Sequence, residues 1–168
     1  YVDDNFGPEL RSNVEWYEPF AKFLPQAQAR LVRLWDDINL PHEEPKQVAG
    51  VQLTIIGFLV DAHSLTISLP DEARDHLLQE IATFADSTPG NRRRSLAQFR
   101  SFAGYVNWAY NTMPLLKPAL SNCYAKTAGK TNRHAGIYLN APILRDLEWL
   151  RRHAAAAPPV SVLRSLAW

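Results

Sequence analysis

Residues 95–110, with the sequence SLAQFRSFAGYVNWAY, decide how the second half of this chain folds. Apolar side chains recur here every three or four residues, which is the spacing of one face of an α-helix. The positions on that face are Leu96, Phe99, Phe102, Val106 and Tyr110. The spacing predicts a helix from Ser95 to about Thr112, with its apolar face turned towards a core.

Three further helices are predicted around this one. Pro70, Asp71 and Glu72 suit a first helical turn. The apolar face that follows them consists of Leu77, Ile81 and Phe84. A shorter helix is predicted over residues 115–128 and another over residues 142–154. The core face of the last helix is formed by Ile143, Leu147 and Leu150, and Trp149 also fits a core position.

The first 70 residues mix a helix with strands. Residues 26–39 carry apolar side chains at helical spacing, and prolines flank the segment. The predicted apolar face comprises Leu31, Leu34, Trp35 and Ile38. Residues 53–60 are rich in β-formers but interrupted by Gly57, and residues 65–69 alternate apolar with polar side chains, so the two segments predict a β-hairpin. The fold class expected from these elements is α+β.

Composition limits the class of protein. The chain has 168 residues, 46% of them hydrophobic and 21% charged, which allows one domain or two small ones. Its single cysteine, Cys123, excludes an internal disulfide, and we expect a small buried residue there rather than a nucleophile. The five histidines form no ligand spacing with it, which argues against a zinc module. We therefore expect a soluble intracellular protein, cytoplasmic or nuclear, that does not interact with membranes.

Charge is distributed unevenly along the chain. Residues 1–70 carry five Lys and Arg against ten Asp and Glu, whereas residues 71–168 carry thirteen against seven. Residues 87–145 contain no acidic residue at all, but they contain nine basic ones. Solvated faces usually mix both signs, so this stretch favours a polyanionic partner. A solvated basic face remains the alternative.

The chain begins with two adjacent carboxylates in the sequence Tyr1-Val2-Asp3-Asp4. Tyr1 and Val2 favour a strand, and the acids stand where that strand enters a turn. Two carboxylates at such a junction can face one pocket and hold divalent cations, as two-metal phosphoryl transfer requires. The pair alone is weak evidence, because the second Asp-Asp pair, at residues 36 and 37, lies on a predicted helix and is expected to face solvent.

The order of these features resembles the C-terminal half of a reverse transcriptase polymerase domain. Tyr1-Val2-Asp3-Asp4 is similar to the family's catalytic turn, which implies that Asp3 and Asp4 bind Mg²⁺ or Mn²⁺. The helix over residues 26–39 and its loop resemble the next palm elements, and Lys46 stands where a lysine is expected to protonate the leaving pyrophosphate. Gly57 and Phe58 belong to a hairpin that resembles the primer grip, although the order Ile-Gly-Phe replaces Phe-Leu-Gly.

The helix predicted from residue 95 onwards resembles the thumb helix that follows the minor groove of the primer duplex. Gly104 and Trp108 match its glycine and tryptophan, and Arg100 replaces its glutamine. Spacing by four puts these three residues on one side of a helix. The basic triplet at residues 92–94 precedes that helix, so Arg92, Arg93 and Arg94 become candidate phosphate contacts. A core position remains the alternative for Trp108.

The resemblance divides the chain into three parts: residues 1–69 as the end of the palm, 70–155 as a helical thumb, and 156–168 as a connector. Residues 56–58 and 120–126 look most like fungal DIRS-like retrotransposons. The implied function is template-directed DNA synthesis from deoxynucleotide triphosphates on an RNA or DNA template. In that arrangement the fingers and a further aspartate would precede Tyr1, a ribonuclease H domain would follow, and this chain alone would be inactive. The alternative is a non-catalytic nucleic-acid-binding module or a degenerate transposon remnant.

Overall fold

A computed structural model describes residues 5–162 of the chain. Its elements are mixed helices and strands, which confirms the α+β expectation at that level. The chain divides into two compact units, the first ending at Ile56 and the second beginning at Gly57. Within the described residues, no helix is both long enough and apolar enough to cross a membrane.

The first unit is built on a hairpin that was not predicted. Strand β1 (Val14–Tyr17) pairs antiparallel with β2 (Lys22–Pro25), and Ala21 closes the turn between them with a φ of 48°. The hairpin leads directly into α1 (Gln26–Asp37), as the sequence predicts. A 3₁₀ turn (Glu44–Lys46) and β3 (Gln52–Ile55) complete the unit. Its small core consists of Tyr17, Leu24, Ala29 and Val32.

The buried face of α1 differs from the predicted one. Ala29 and Val32 are fully buried, whereas Leu34 is 53% exposed and Ile38 is 61% exposed. Trp35 packs against the small core as expected, but only in part. The prediction for Leu34 and Ile38 is therefore wrong. Small side chains face the hairpin because β1 and β2 approach this side of the helix closely.

Strands of the second unit begin immediately at its start. Strand β4 (Phe58–Asp61) pairs antiparallel with β5 (Thr66–Ser68), which confirms a hairpin in this part of the chain. The run predicted as one strand over residues 53–60 is divided, however, because a turn at Ile56 and Gly57 separates β3 from β4. Near the end of the described residues, β8 (Val160–Ser161) adds to the free edge of β5. Residues 160 and 161, within the predicted connector, thus belong to a sheet of this unit.

The core of the second unit comes from the predicted helices. These are α2 (Asp71–Ala85), α3 (Leu96–Ala109), α4 (Ser121–Thr127) and α5 (Ala141–Ala155). The apolar faces predicted for α2, α3 and α5 are buried as expected. Ser95 caps α3 in a reciprocal pair of hydrogen bonds with Gln98, which fixes where the helix begins. A 3₁₀ segment (Pro114–Leu120) precedes α4 in place of one continuous helix, because the proline inside it lacks a backbone N–H.

Two further details of this unit concern residues that the sequence singled out. Arg93 and Arg94 lie in β6 (Arg93–Ser95), which pairs antiparallel with β7 (Gly136–Tyr138), whereas Arg92 precedes the strand. Trp149 is 40% exposed on the outer side of α5, so its assignment to the core is wrong. Cys123 is buried as expected, and burial raises the pKa of its thiol to about 12.

Candidate nucleic-acid interface on α3 and the β4 turn

A stack of aromatic rings joins the start of β4 to the C-terminal half of α3. The rings of Phe58 and Trp108 stack with centroids 4.9 Å apart and planes 24° apart. Trp108 also stacks on Tyr105, one turn earlier in α3, with centroids 5.6 Å apart. All three side chains are half-buried and pack against the core of the second unit. Residues 50 positions apart in sequence therefore form one partly exposed aromatic surface.

Gly57 lies against the same tryptophan. Its φ is +81°, a conformation that suits glycine, and a Cβ atom placed there would come within 2.8 Å of Trp108 Cζ2. The turn can approach the indole ring this closely only because position 57 has no side chain. The structure therefore brings together Gly57, Phe58 and Trp108, three of the site residues that the sequence singled out.

The exposed side of α3 has a gap in its middle. Gly104 is exposed, and a Cβ atom added to it would have no atom within 4 Å. Neither backbone geometry nor packing therefore explains a glycine here, where it costs about 1 kcal/mol of helix stability relative to alanine. Arg100 and Trp108 lie one turn before and after it, so the three positions span about 12 Å of the helix. We call Arg100, Gly104 and Trp108 the α3 face.

Basic side chains gather near the N-terminal end of this face. Arg100 Nη2 donates to the Lys130 carbonyl oxygen at 3.3 Å, and the Ala97 amide donates to the Arg133 carbonyl oxygen at 3.0 Å. These backbone contacts bring the loop that carries Lys130 and Arg133 beside α3. Arg93 is exposed on the neighbouring strand β6. Segments that carry Arg93, Arg100, Lys130 and Arg133 therefore meet near this end of the α3 face, and we call these four residues the basic cluster.

Arg92 and Arg94 both donate hydrogen bonds within the fold, but Arg94 is buried and Arg92 is exposed. Arg92 is exposed, and it donates to the Ser87 carbonyl oxygen and the Tyr138 hydroxyl. Arg94 is only 6% exposed and donates to the carbonyl oxygens of Thr83 and Asp86, at the C-terminal end of α2. Arg94 therefore caps α2, because its guanidinium group bonds to carbonyl oxygens that have no partner within the helix. The structure thus gives Arg94 a capping role in place of the predicted phosphate contact, while Arg92 and Arg93 remain candidates.

Of the residues assigned to chemistry, Lys46 is described by the structure and lies in the first unit. Asp3 and Asp4, and the strand expected at Tyr1 and Val2, fall outside the described residues. Lys46 is exposed in the 3₁₀ turn, and its Nζ lies 3.0 Å from Glu43 Oε1. Across residues 5–162, no group of three or more His, Cys, Asp or Glu side chains is placed to hold a metal ion.

The loop that carries Lys46 is held by a cluster that sequence analysis missed. His42 is almost buried between the rings of Phe20 and Trp35, and its Nε2 lies 3.2 Å from the Tyr17 hydroxyl. That hydroxyl donates to Asp36, which is exposed, as expected for the second Asp-Asp pair, but also bonded to this cluster. Burial and this hydrogen bond raise the pKa of Tyr17 to about 12. No spacing signal marks the cluster, because its members come from separate elements.

Tyr105 and His76 are also additions to the predicted site. The Tyr105 hydroxyl lies 2.8 Å from His76 Nδ1 on α2, and the two rings meet edge to face. Burial and the nearby Glu80 carboxylate raise the pKa of Tyr105. In sequence, the spacing of three between Tyr105 and Trp108 was the available signal, because it places the two rings one above the other on a helix.

Comparison with known protein families finds no family model that matches this chain, and comparison with curated proteins finds no similar one. The geometry of the second unit is therefore the basis on which we propose a function. It offers a cationic cluster, a helix face with a gap, and an aromatic surface, all within the second unit. Such a surface can hold a polyanion through phosphate contacts and ring contacts together.

Proposed function

We propose that this chain is part of a retroelement reverse transcriptase and that its second unit holds the template–primer duplex. The duplex would lie along the α3 face, with its phosphates near the basic cluster and its groove over Gly104. Trp108 and Phe58 would then meet the primer end of the duplex. Contacts of this kind go to phosphates and groove surface, so we expect little sequence preference.

The observation that carries this proposal is the contact of Gly57 and Phe58 with Trp108. The resemblance assigns the first two residues to the primer grip and the third to the groove of the same duplex. Two sites for one duplex have to lie close together in space. The stack at 4.9 Å and the close approach at Gly57 meet that requirement.

Two further features support a duplex as the partner. Gly104 leaves open space in the middle of the exposed side of α3, where an external backbone can approach. Arg92 and Arg100 donate only to neutral oxygens in the hydrogen bonds described above, so no carboxylate neutralises them there. Their charge remains available to phosphates.

The chemical step of the proposal rests on the resemblance at Asp3, Asp4 and Lys46. The two aspartates would hold Mg²⁺ or Mn²⁺, which would stabilise charge during nucleotidyl transfer. Lys46 would act as the general acid. Its ion pair with Glu43 is exposed, and exposed ion pairs contribute little to stability. The pair therefore does not prevent the ammonium group from turning to another partner.

Gly104→Leu tests the proposed duplex site, because stability and binding should change in opposite directions. Leucine fills open space and favours the helix, so the free energy of unfolding should stay the same or rise by up to about 1 kcal/mol. The same side chain should hold a duplex away from α3 and weaken binding by roughly tenfold or more. Fluorescence anisotropy with a labelled RNA–DNA hybrid measures affinity, and urea unfolding measures stability.

Gln79→Leu is the matched control, because it adds an exposed leucine to the neighbouring helix α2. It should bind the hybrid as the parent does. If the parent binds no hybrid, or if Gly104→Leu binds as tightly as the parent, the proposed duplex site is wrong.

A separate experiment distinguishes the polymerase from a non-catalytic binding module. The chain is joined to the segment that the resemblance places before Tyr1, and primer extension is measured with deoxynucleotides and Mg²⁺. Synthesis that Asp3→Asn abolishes supports the polymerase. Lys46→Ala should then slow the single-turnover rate by roughly 10²–10⁴-fold, as expected for a general acid. Hybrid binding without synthesis favours the binding module.

A further inference from the structure

The aromatic surface at the proposed duplex site continues beyond Trp108 to a polar anchor on another helix. Tyr105 stacks on Trp108 with the two planes 16° apart, and its hydroxyl reaches His76 Nδ1 on α2 at 2.8 Å. The imidazole meets the phenol ring edge to face, at 82° and 5.4 Å. Tyr105 is therefore held at both its ring and its hydroxyl.

The contact of the second ring nitrogen of His76 determines which nitrogen can accept the hydrogen bond from Tyr105. His76 Nε2 lies 3.9 Å from Glu80 Oε1, one turn further along α2. A carboxylate on that side favours the proton on Nε2 and leaves Nδ1 to accept the hydrogen bond from the Tyr105 hydroxyl. His76 lies in α2, and the next residue of that helix, Leu77, is fully buried in the core. The anchor point is thus fixed to the packed body of the second unit.

From this geometry we infer that Tyr105 and His76 are positioning residues for Trp108. The inference rests on the proposed duplex site and deepens it. Trp108 is only half-buried, so packing alone leaves part of its ring without support. Tyr105 supplies a flat surface for the indole, and the hydrogen bond to His76 prevents that surface from turning. The hydroxyl acts on the duplex through Trp108, without touching the duplex itself.

Tyr105→Phe isolates the anchor, because it removes the hydroxyl and keeps the ring. We expect binding of a labelled RNA–DNA hybrid to weaken by about fivefold, within the range for one lost hydrogen bond. The dependence of affinity on salt should not change, since no cation is removed. His76→Ala should weaken binding to a similar extent. His76→Gln should restore most of the affinity, because its amide can still bond to the Tyr105 hydroxyl.

A double-mutant cycle shows whether the hydroxyl acts through the indole. In the Trp108→Ala background, Tyr105→Phe should change the affinity by less than about twofold, the scatter expected of independent variants. A merely structural role would not produce this coupling in binding, and thermal melts of each variant show whether folding has changed. His153→Ala, which removes an exposed histidine from α5, is the control for His76→Ala and should bind as the parent does.

The outcomes separate this inference from the proposed function. A parent chain that binds no hybrid overturns both. A parent that binds and responds to Gly104→Leu, but not to Tyr105→Phe, overturns only the positioning role. An equal loss from Tyr105→Phe in the parent and in the Trp108→Ala background also overturns it, because the hydroxyl would then contact the duplex directly.

Discussion

Gly57→Ala tests the contact between the β4 turn and Trp108. Two separate effects should lower the free energy of unfolding of this variant. A positive φ of 81° disfavours any side chain and contributes about 1 kcal/mol. The new methyl group would also stand 2.8 Å from Trp108 Cζ2, closer than real contacts allow. The indole cannot move away cheaply, because it stacks on Phe58 and Tyr105. Overpacking of this kind adds about 1–3 kcal/mol.

The chain offers a matched control at Gly90. Its φ is +89°, but a Cβ atom there would meet nothing within 4 Å. Gly90→Ala should therefore lower the free energy of unfolding by about 1 kcal/mol, against about 2–4 kcal/mol for Gly57→Ala. The difference between the two variants measures the contact with Trp108 alone.

Urea unfolding of the full chain, followed by circular dichroism, gives both values. In a Trp108→Leu background the smaller side chain should relieve the overlap, so the cost of Gly57→Ala should fall to that of Gly90→Ala. Gly57→Ala should also weaken binding of an RNA–DNA hybrid, because it displaces the indole. Equal destabilisation by Gly57→Ala and Gly90→Ala in the parent would refute the packing described for this turn.

Three other outcomes follow from buried groups of the second unit, all measured by urea unfolding. Arg94→Ala should lower the free energy of unfolding by about 2–4 kcal/mol, because it removes a buried side chain that bonds to carbonyl oxygens at the end of α2. Arg93→Ala should change the free energy of unfolding by less than about 0.5 kcal/mol. In hybrid binding, Arg93→Ala should flatten the salt dependence by roughly 0.9 for each lost phosphate contact. Tyr110→Phe should leave stability unchanged or raise it, because the buried Tyr110 hydroxyl has no hydrogen-bond partner among the described residues. Burial raises the pKa of Cys123 from 9.0 to about 12, so its contribution to stability is complete below pH 9 and is lost as the pH rises towards 12. Cys123→Ala should make the loss of stability over that pH range shallower, and an unchanged profile would contradict the burial of the thiol.

Helices with a clear apolar period were predictable from sequence alone. The faces of α2, α3 and α5 are set by local spacing, and the core forms where those faces meet. The face of α1 was not predictable in the same way. Which side is buried there depends on a hairpin whose short strands carry mixed polar and apolar residues and a proline. Tertiary contact therefore decided between two possible faces of one helix.

Some features of the site also follow from local spacing, and others depend on tertiary contacts. Spacing by four residues was enough to place Arg100, Gly104 and Trp108 on one side of α3. The basic triplet could not be resolved residue by residue from sequence, because its last two members lie in a strand, and a strand directs successive side chains to opposite faces. Arg93 and Arg94 therefore cannot face the same partner, and Arg94 is the buried one. Alternation was the signal that could have separated Arg94 from Arg93.

A core position and a contact with the duplex are not exclusive alternatives for Trp108. An indole ring has enough surface to pack on one side and to present an edge or face on the other. In this fold it is half-buried, it rests on Phe58 and Tyr105, and Gly57 makes room for it. A ring that meets a duplex has to be held in place before the duplex arrives, since ordering it on binding would cost affinity. Partial burial of Trp108 is therefore compatible with the proposed contact, which predicts that removal of Trp108 lowers both stability and affinity.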